Sequence, residues 1–220
     1  MPRRTLVLAS ASPARLGLLR AAGFDPLVLV SGDAEDGVAG LPAPEAARTL
    51  AARKASAVAR RLAPAVAAGA VLMERTGGAP LPVHDGTLVL GCDSVLSFAG
   101  EVRGKPRGCD QAVAWWRGYR GRSGTLVTGH AVVEVGSGRT AAGVAQTTVR
   151  FGDPGDAEID ALVATGEPLA VAGGFTIDGR CGPFVDGIDG DHGTVVGLSL
   201  PTFRALVGEL GVAVSELWAP

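Results

Sequence analysis

Eighteen arginines stand against only two lysines, Lys54 and Lys105, in this 220-residue chain. So strong a bias makes most surface cations arginine. The lysines that remain then mark positions where a compact ammonium does what a planar guanidinium does not, meeting phosphate oxygens as a point charge. Neighbouring residues extend that chemistry. Ser12-Pro13 reads as a helix start, so free backbone N–H groups and the positive end of a helix dipole lie beside the hydroxyls of Ser10 and Ser12 and the guanidinium of Arg15, a set that suits a phosphate. Asp93 lies in an apolar run, within Gly91-Cys92-Asp93-Ser94, where a carboxylate is costly unless a cation, a hydrogen-bond network or a metal compensates it. Glu35, in the acidic segment Asp33-Ala34-Glu35-Asp36, offers a second oxygen ligand for Mg2+, which takes one or two protein carboxylates and completes its shell with water and substrate phosphates. Taken singly, each has a plainer reading: a surface lysine, a capped helix, a strand-end acid, a solvated turn.

The elements that must position these residues are readable from pattern. Residues 5–9 form a short apolar strand, and a helix runs from Pro13 to near Gly23 with Ser12 as its cap. A strand over 26–31 and an Ala/Arg-rich helix over 44–62, which carries Lys54, come next. Gly and Pro crowd residues 73–86, which reads as a flexible surface loop. A strongly apolar strand over 87–96 then brings in Asp93, and Gly104-Lys105-Pro106 follows a turn at Gly100. Asp110 caps a helix through Tyr119, strands over 125–135 and 139–151 form an antiparallel hairpin about Gly136-Ser137-Gly138, and a helix covers 156–164. After a Gly-rich stretch with one strand near Phe184, Ser199 opens a closing helix to Leu210. No repeat is present, and the order of elements implies an α/β fold, a mixed sheet with flanking helices.

Composition excludes several classes. A formal net charge of −2 provides no field for a nucleic-acid backbone, so nucleic acid is not expected as the main partner. Cys92, Cys109 and Cys181 form no CxxC or Cys/His cluster, which argues against a disulfide framework or a zinc site and for a reducing compartment. No apolar run is long enough for a signal-peptide core or a membrane span, and the expectation is a cytoplasmic protein without a membrane partner. His84, His130 and His192 lack ligand spacing and read as structural, and of the adjacent Trp115 and Trp116 one should be core and one boundary. There is no GxxxxGK[ST] loop and no GxGxxG after a strand.

The order of the motifs resembles that of the Maf family of nucleoside triphosphate pyrophosphatases. The resemblance rests on Leu8-Ala9-Ser10-Ala11-Ser12-Pro13-Ala14-Arg15, the acidic loop, Leu50-Ala51-Ala52-Arg53-Lys54-Ala55, Gly91-Cys92-Asp93-Ser94, Gly104-Lys105-Pro106, Thr165-Gly166-Glu167-Pro168, and Ile188-Asp189-Gly190-Asp191 before Val196-Gly197-Leu198. It runs from about Thr5 to Gly211, so the chain reads as one Maf-like domain over 1–220 with its core at about 5–211. The resemblance implies a two-lobed, inosine triphosphatase-like architecture with a central cleft, and metal-dependent cleavage of a nucleoside triphosphate, standard or modified, to monophosphate and pyrophosphate. By position it implies Asp93 as proton acceptor, Arg15, Lys54 and Lys105 near the phosphates, and Glu35 near the metal. A homodimer is implied by the family alone. The chain departs from the family pattern in three places that bear on the ligand: Ala14 replaces the first arginine of the Ser-x-Ser-Pro-Arg-Arg motif, Val171 replaces a lysine, and Asp178 replaces a glutamine.

The mechanism that follows has Mg2+ or Mn2+, held by Glu35 and Asp93, polarising the α-phosphate while Asp93 helps deprotonate the attacking water. Ser10, Ser12, Arg15, Lys54 and Lys105 would neutralise phosphate charge. Asp178 would contact the base or ribose. Two rivals are a nucleotide-binding regulator of cell division that does not hydrolyse its ligand, and a nucleotidyltransferase. All of these readings require side chains scattered from Arg15 to Lys105 to converge on one pocket.

Overall fold

The apolar run after Arg4 becomes strand β1 (Leu6–Leu8), buried at every position, and the chain then turns through Ser10 into helix α1 (Pro13–Ala21). Ser12 Oγ accepts the Arg15 N–H at 3.4 Å, and Gly23, at φ 85°, takes the left-handed conformation that lets the chain leave the helix. The computed structural model describes residues 4–32, 37–69, 71–75 and 78–219. Beyond α1 come β2 (Leu27–Val28), α2 (Ala43–Ala67), β3 (Val71–Arg75), β4 (Gly78–Val83), β5 (Leu88–Phe98), β6 (Glu101–Arg103) and α3 (Cys109–Tyr119). The rest comprises β7 (Ser123–Glu134), β8 (Thr140–Phe151), α4 (Asp156–Ala164), β9 (Val185–Asp189), α5 (His192–Val196) and α6 (Leu200–Glu209). Short 3₁₀ turns at Glu167–Ala170, Ala172–Gly174 and Gly182–Phe184 fill the Gly-rich stretch.

The main sheet has the order β2-β1-β5-β7-β8-β9, with β6 added to the far half of β5. β1 runs parallel to β2 and β5, and the remaining pairs are antiparallel. This is the mixed α/β sheet expected. β6 and α5 are not among the expected elements, β2 is shorter than the strand over 26–31, and three further elements differ in kind or extent. The described residues of 73–86 belong largely to an antiparallel hairpin, β3–β4, in which Met73 pairs Leu81 and Leu72 pairs Pro82, so a Gly/Pro-rich segment expected to lack regular structure pairs as two strands. α2 runs past Pro64 to Ala67, since one proline removes a single hydrogen bond from a helix whose remaining turns are packed. At α3, Gly108 and not Asp110 occupies the cap, and Asp110 sits in the first turn, where its charge complements the helix dipole.

Burial divides the molecule into two lobes joined by the long strands. Near the β1 end, α1 and α6 cover one sheet face through Leu19, Phe203 and Leu206 against Leu88, Leu90 and Cys92. α2 covers the other face through Ala51, Ala55 and Val58 against Val89 and Ala131. At the far end, Leu96, Phe98, Leu126 and Phe151 meet Trp116 and Tyr119 of α3 and Ile159 and Leu162 of α4. Trp116 is fully buried and Trp115 is partly so, as a core and boundary pair.

Two glycines decide how closely α2 lies on the sheet. A methyl group built on Gly91 would overlap the Ala51 carbonyl oxygen, and one on Gly129 the Ala47 carbonyl oxygen. The small stripe Ala47, Ala51, Ala55, at four-residue spacing, thus meets backbone without intervening side chains. Lys54, on that helix, is carried to within reach of β5.

Candidate active site

β1 ends opposite Leu90 and β6 ends, at Arg103, opposite Leu96, so among the described residues the intervening stretch of β5 has one uncovered edge. The bonds Leu88 N–H to Thr5 O and Ala9 N–H to Leu90 O show which peptide groups face that edge. By the two-residue period those of Cys92 and Ser94 face it too. A cleft of about 1410 Å3 opens there, beyond the carboxyl ends of β1 and β2, the place where open α/β sheets receive ligands. Its lining includes Ser10, Ser12, Arg15, Lys54, Asp93, Ser94, Lys105 and Asp178. Every site residue expected from sequence is therefore brought to one cleft except Glu35, which lies outside the described residues.

Asp93 and Ser94 are consecutive on a strand and so point to opposite faces. On the α2 face, Asp93, only 6% exposed, is ion-paired through Oδ1 with Lys54 Nζ. On the α1 face, Arg15 is held at three points: Nε donates to Gly197 O at 2.8 Å, one terminal nitrogen to Ser10 Oγ at 3.2 Å and the other to Ser94 Oγ at 3.1 Å. Gly197, at φ 116°, stands so near Arg15 that a side chain there would crowd the guanidinium, its Cβ falling 3.0 Å from Nε. The Ser94 hydroxyl lies 2.9 Å from Thr128 Oγ1, which itself sits 2.8 Å from Thr194 O. A carbonyl only accepts, so the Thr128 proton goes to Thr194, Ser94 donates to Thr128, and the remaining Ser94 lone pairs receive Arg15. The direction of the whole chain of bonds is thereby settled.

The opposite wall comes from the Gly104-Lys105-Pro106 turn and the Gly-rich stretch. Gly173 N–H donates to Gly104 O at 2.9 Å, while Trp116 Nε1 and Tyr119 Oη donate to Gly174 O and Gly173 O at 2.9 and 2.8 Å. Two aromatic side chains of α3 thus moor this segment, which places Ala170, Val171, Ala172, Phe175 and Asp178 on the cleft. The side chains of Lys105, Asp178 and also Arg107, which sequence reading did not single out, make no hydrogen bond or ion pair among the described residues. Signals for the mooring were present as adjacent tryptophan and glycine pairs, but nothing in their spacing joined them.

Neighbouring groups that titrate are silenced. Burial pushes the Cys92 thiol up to about 12, which removes it as a nucleophile. Burial, aided by the charge of Arg15, lowers His130 to about 4. Its neutral Nε2 accepts the Ser199 N–H at 2.8 Å, the structural role expected for it. Among the described residues no three His, Cys, Asp or Glu side chains gather as an all-protein metal cage. A single buried carboxylate at the cleft suits instead a hard divalent ion whose shell is completed by water and substrate oxygens. No described helix is long and apolar enough to cross a membrane.

Comparison with known proteins agrees with the geometry. The family model described as Maf-like protein matches residues 5–210. The chain is 53% identical over 219 residues to a Streptomyces coelicolor protein and 52% identical over 219 residues to one from Streptomyces avermitilis, covering 100% of this chain and 97% of each relative. A Salinispora tropica protein is 51% identical over 214 residues, covering 97% of this chain and 87% of its own. All three bear the name nucleoside triphosphate pyrophosphatase. The chain belongs to the Maf-like protein family.

Proposed function

We propose that the protein hydrolyses nucleoside triphosphates between the α- and β-phosphates, releasing the nucleoside monophosphate and pyrophosphate. The observation that carries this reading is the buried Asp93–Lys54 ion pair on the floor of a cleft that also gathers Arg15 and Lys105. Asp93 accepts a proton from the water that attacks the α-phosphorus, and the bond to the β-phosphate oxygen breaks as pyrophosphate leaves. The Lys54 ammonium, with three donors, serves both Asp93 and a phosphate oxygen. Arg15 has five N–H donors and commits three to protein, leaving two to face the triphosphate from a guanidinium that does not have to reorganise. Ser10 and Ser12 border the start of α1, whose N–H groups and dipole favour an anion.

Mg2+ or Mn2+ would be held by Asp93 with Glu35 and would supply Lewis-acid polarisation of the α-phosphoryl group. Lys105 grips the phosphates from the facing wall, and Asp178, an acceptor at every lone pair, reads donor groups on the base or ribose. We place the protein in the cytoplasm, where all three of its cysteines remain as the free thiols seen here.

The test is product analysis with a panel of triphosphates and Mg2+ or Mn2+. Monophosphate and pyrophosphate in equal amounts are expected, and Asp93→Asn should keep the fold and lose about a thousandfold in turnover. Release of orthophosphate, binding without turnover, or transfer of the nucleotide to an acceptor other than water would each overturn the reading. Full turnover in Asp93→Asn would remove Asp93 from its role.

A further inference from the structure

We propose that Arg107 is a substrate-gripping residue for the terminal two phosphates, closing on them from the wall opposite α1. The proposal deepens the pyrophosphatase reading and rests on it. Four cationic side chains line the cleft: Arg15, Lys54, Lys105 and Arg107. Lys54 is neutralised by Asp93, and most donors of Arg15 are spent on Gly197, Ser10 and Ser94. Ala14, beside Arg15, brings only a methyl group to the same cleft. A triphosphate carries several negative charges, and the paired wall leaves most of that charge unanswered.

Arg107 is built to answer it. Pro106 is buried, so the chain is pinned between two exposed cations that lie at most about 7 Å apart at their Cα atoms. The backbone N–H of Arg107 donates to Gln111 Oε1 at 2.8 Å, which fixes the base of the side chain to the start of α3. The guanidinium itself has no partner among the described residues. Glu101, the acid that also lines this rim, is already engaged by Arg103, whose Nε and a terminal nitrogen donate to it at 3.1 and 2.8 Å. Asp93 is buried at the floor, where attack on the α-phosphorus takes place, whereas Arg107 is exposed at the rim. In the pose proposed, the α-phosphate lies over Asp93 and the β- and γ-phosphates extend toward that rim. There a planar fork presents two parallel N–H groups to two oxygens in a fixed geometry, which the rotatable donors of an ammonium do not preset.

The experiment compares inhibition by inorganic pyrophosphate with inhibition by the nucleoside monophosphate, in the wild type, Arg107→Ala and Arg107→Lys. Arg107→Ala should weaken pyrophosphate inhibition about tenfold and raise KM for the triphosphate by a similar factor, while kcat and monophosphate inhibition hold within about twofold. Arg107→Lys should recover part of the loss. Unchanged pyrophosphate inhibition in Arg107→Ala, or an equal loss for both inhibitors, overturns the proposal while an active wild type leaves the pyrophosphatase reading standing. A wild type that releases no pyrophosphate from any triphosphate overturns both.

Discussion

On the wall built by α1, α2 and β5, every cation that reaches the cleft is already bonded to protein, Arg15 at three points and Lys54 to Asp93. On the facing wall, Lys105 and Arg107 extend without partners among the described residues. The first arrangement costs desolvation at folding and is rigid when the substrate arrives. The second costs nothing at folding and, in the proposed role, would lose side-chain entropy on closing over phosphate. One wall therefore links stability to chemistry, and the other links only affinity to chemistry.

Breaking the paired wall should have the largest effect. Lys54→Met removes the cation from a buried carboxylate, and about 4 kcal/mol of stability should be lost together with at least about a hundredfold in turnover. Thermal unfolding, falling by roughly 8 to 16 °C for a chain of this size, and steady-state rates measured on the same sample check both. A variant with normal stability and normal rate would erase the contrast between the walls.

Acid should attack the same wall by a second route. His130 accepts the Ser199 N–H, two residues beyond the Gly197 carbonyl that holds Arg15. Its folded-state value near 4 lies below the ordinary 6.5, so the unfolded chain binds the proton more readily. The stability due to neutral His130 is full above pH 6.5 and is lost as pH falls toward 4, amounting to about 3 kcal/mol. Denaturant titrations across that window should show the loss in the wild type and a shallower one in His130→Gln.

The open wall sharpens the comparison with the smallest effect. Lys105→Ala should raise KM about tenfold, close to 1.4 kcal/mol, with the unfolding midpoint unmoved. A midpoint lowered by several degrees would show that Lys105 carries structure after all.

Much of this arrangement was legible in sequence because its signals are local. Ser12-Pro13 and Gly23 bracket α1, Gly136-Ser137-Gly138 joins β7 to β8, and both lysines fall on the cleft. What escaped depends on contacts between distant segments. β3 and β4 form a ladder that Gly and Pro content argued against. Gly91 and Gly129 look like strand irregularities until α2 is seen resting on them. Arg107 was hidden among eighteen arginines by the same bias that made the lysines conspicuous. Its distinction is the lack of a partner, which no spacing records.

The back-to-back placement of Asp93 and Ser94 on β5 has a consequence for how the chain tolerates change. Their neighbours on β7 are Gly129 and Thr128, so acid lies over glycine and hydroxyl over hydroxyl in adjoining rungs. Inserting or deleting one residue upstream in β5 would slide the strand by a rung and turn the carboxylate toward Arg15 and the hydroxyl toward Lys54, exchanging the partners of both. Length between Leu88 and Asp93 is thus as much a part of the chemistry as the identity of the acid, and indels there should be lethal to activity where substitutions in the same run are merely costly.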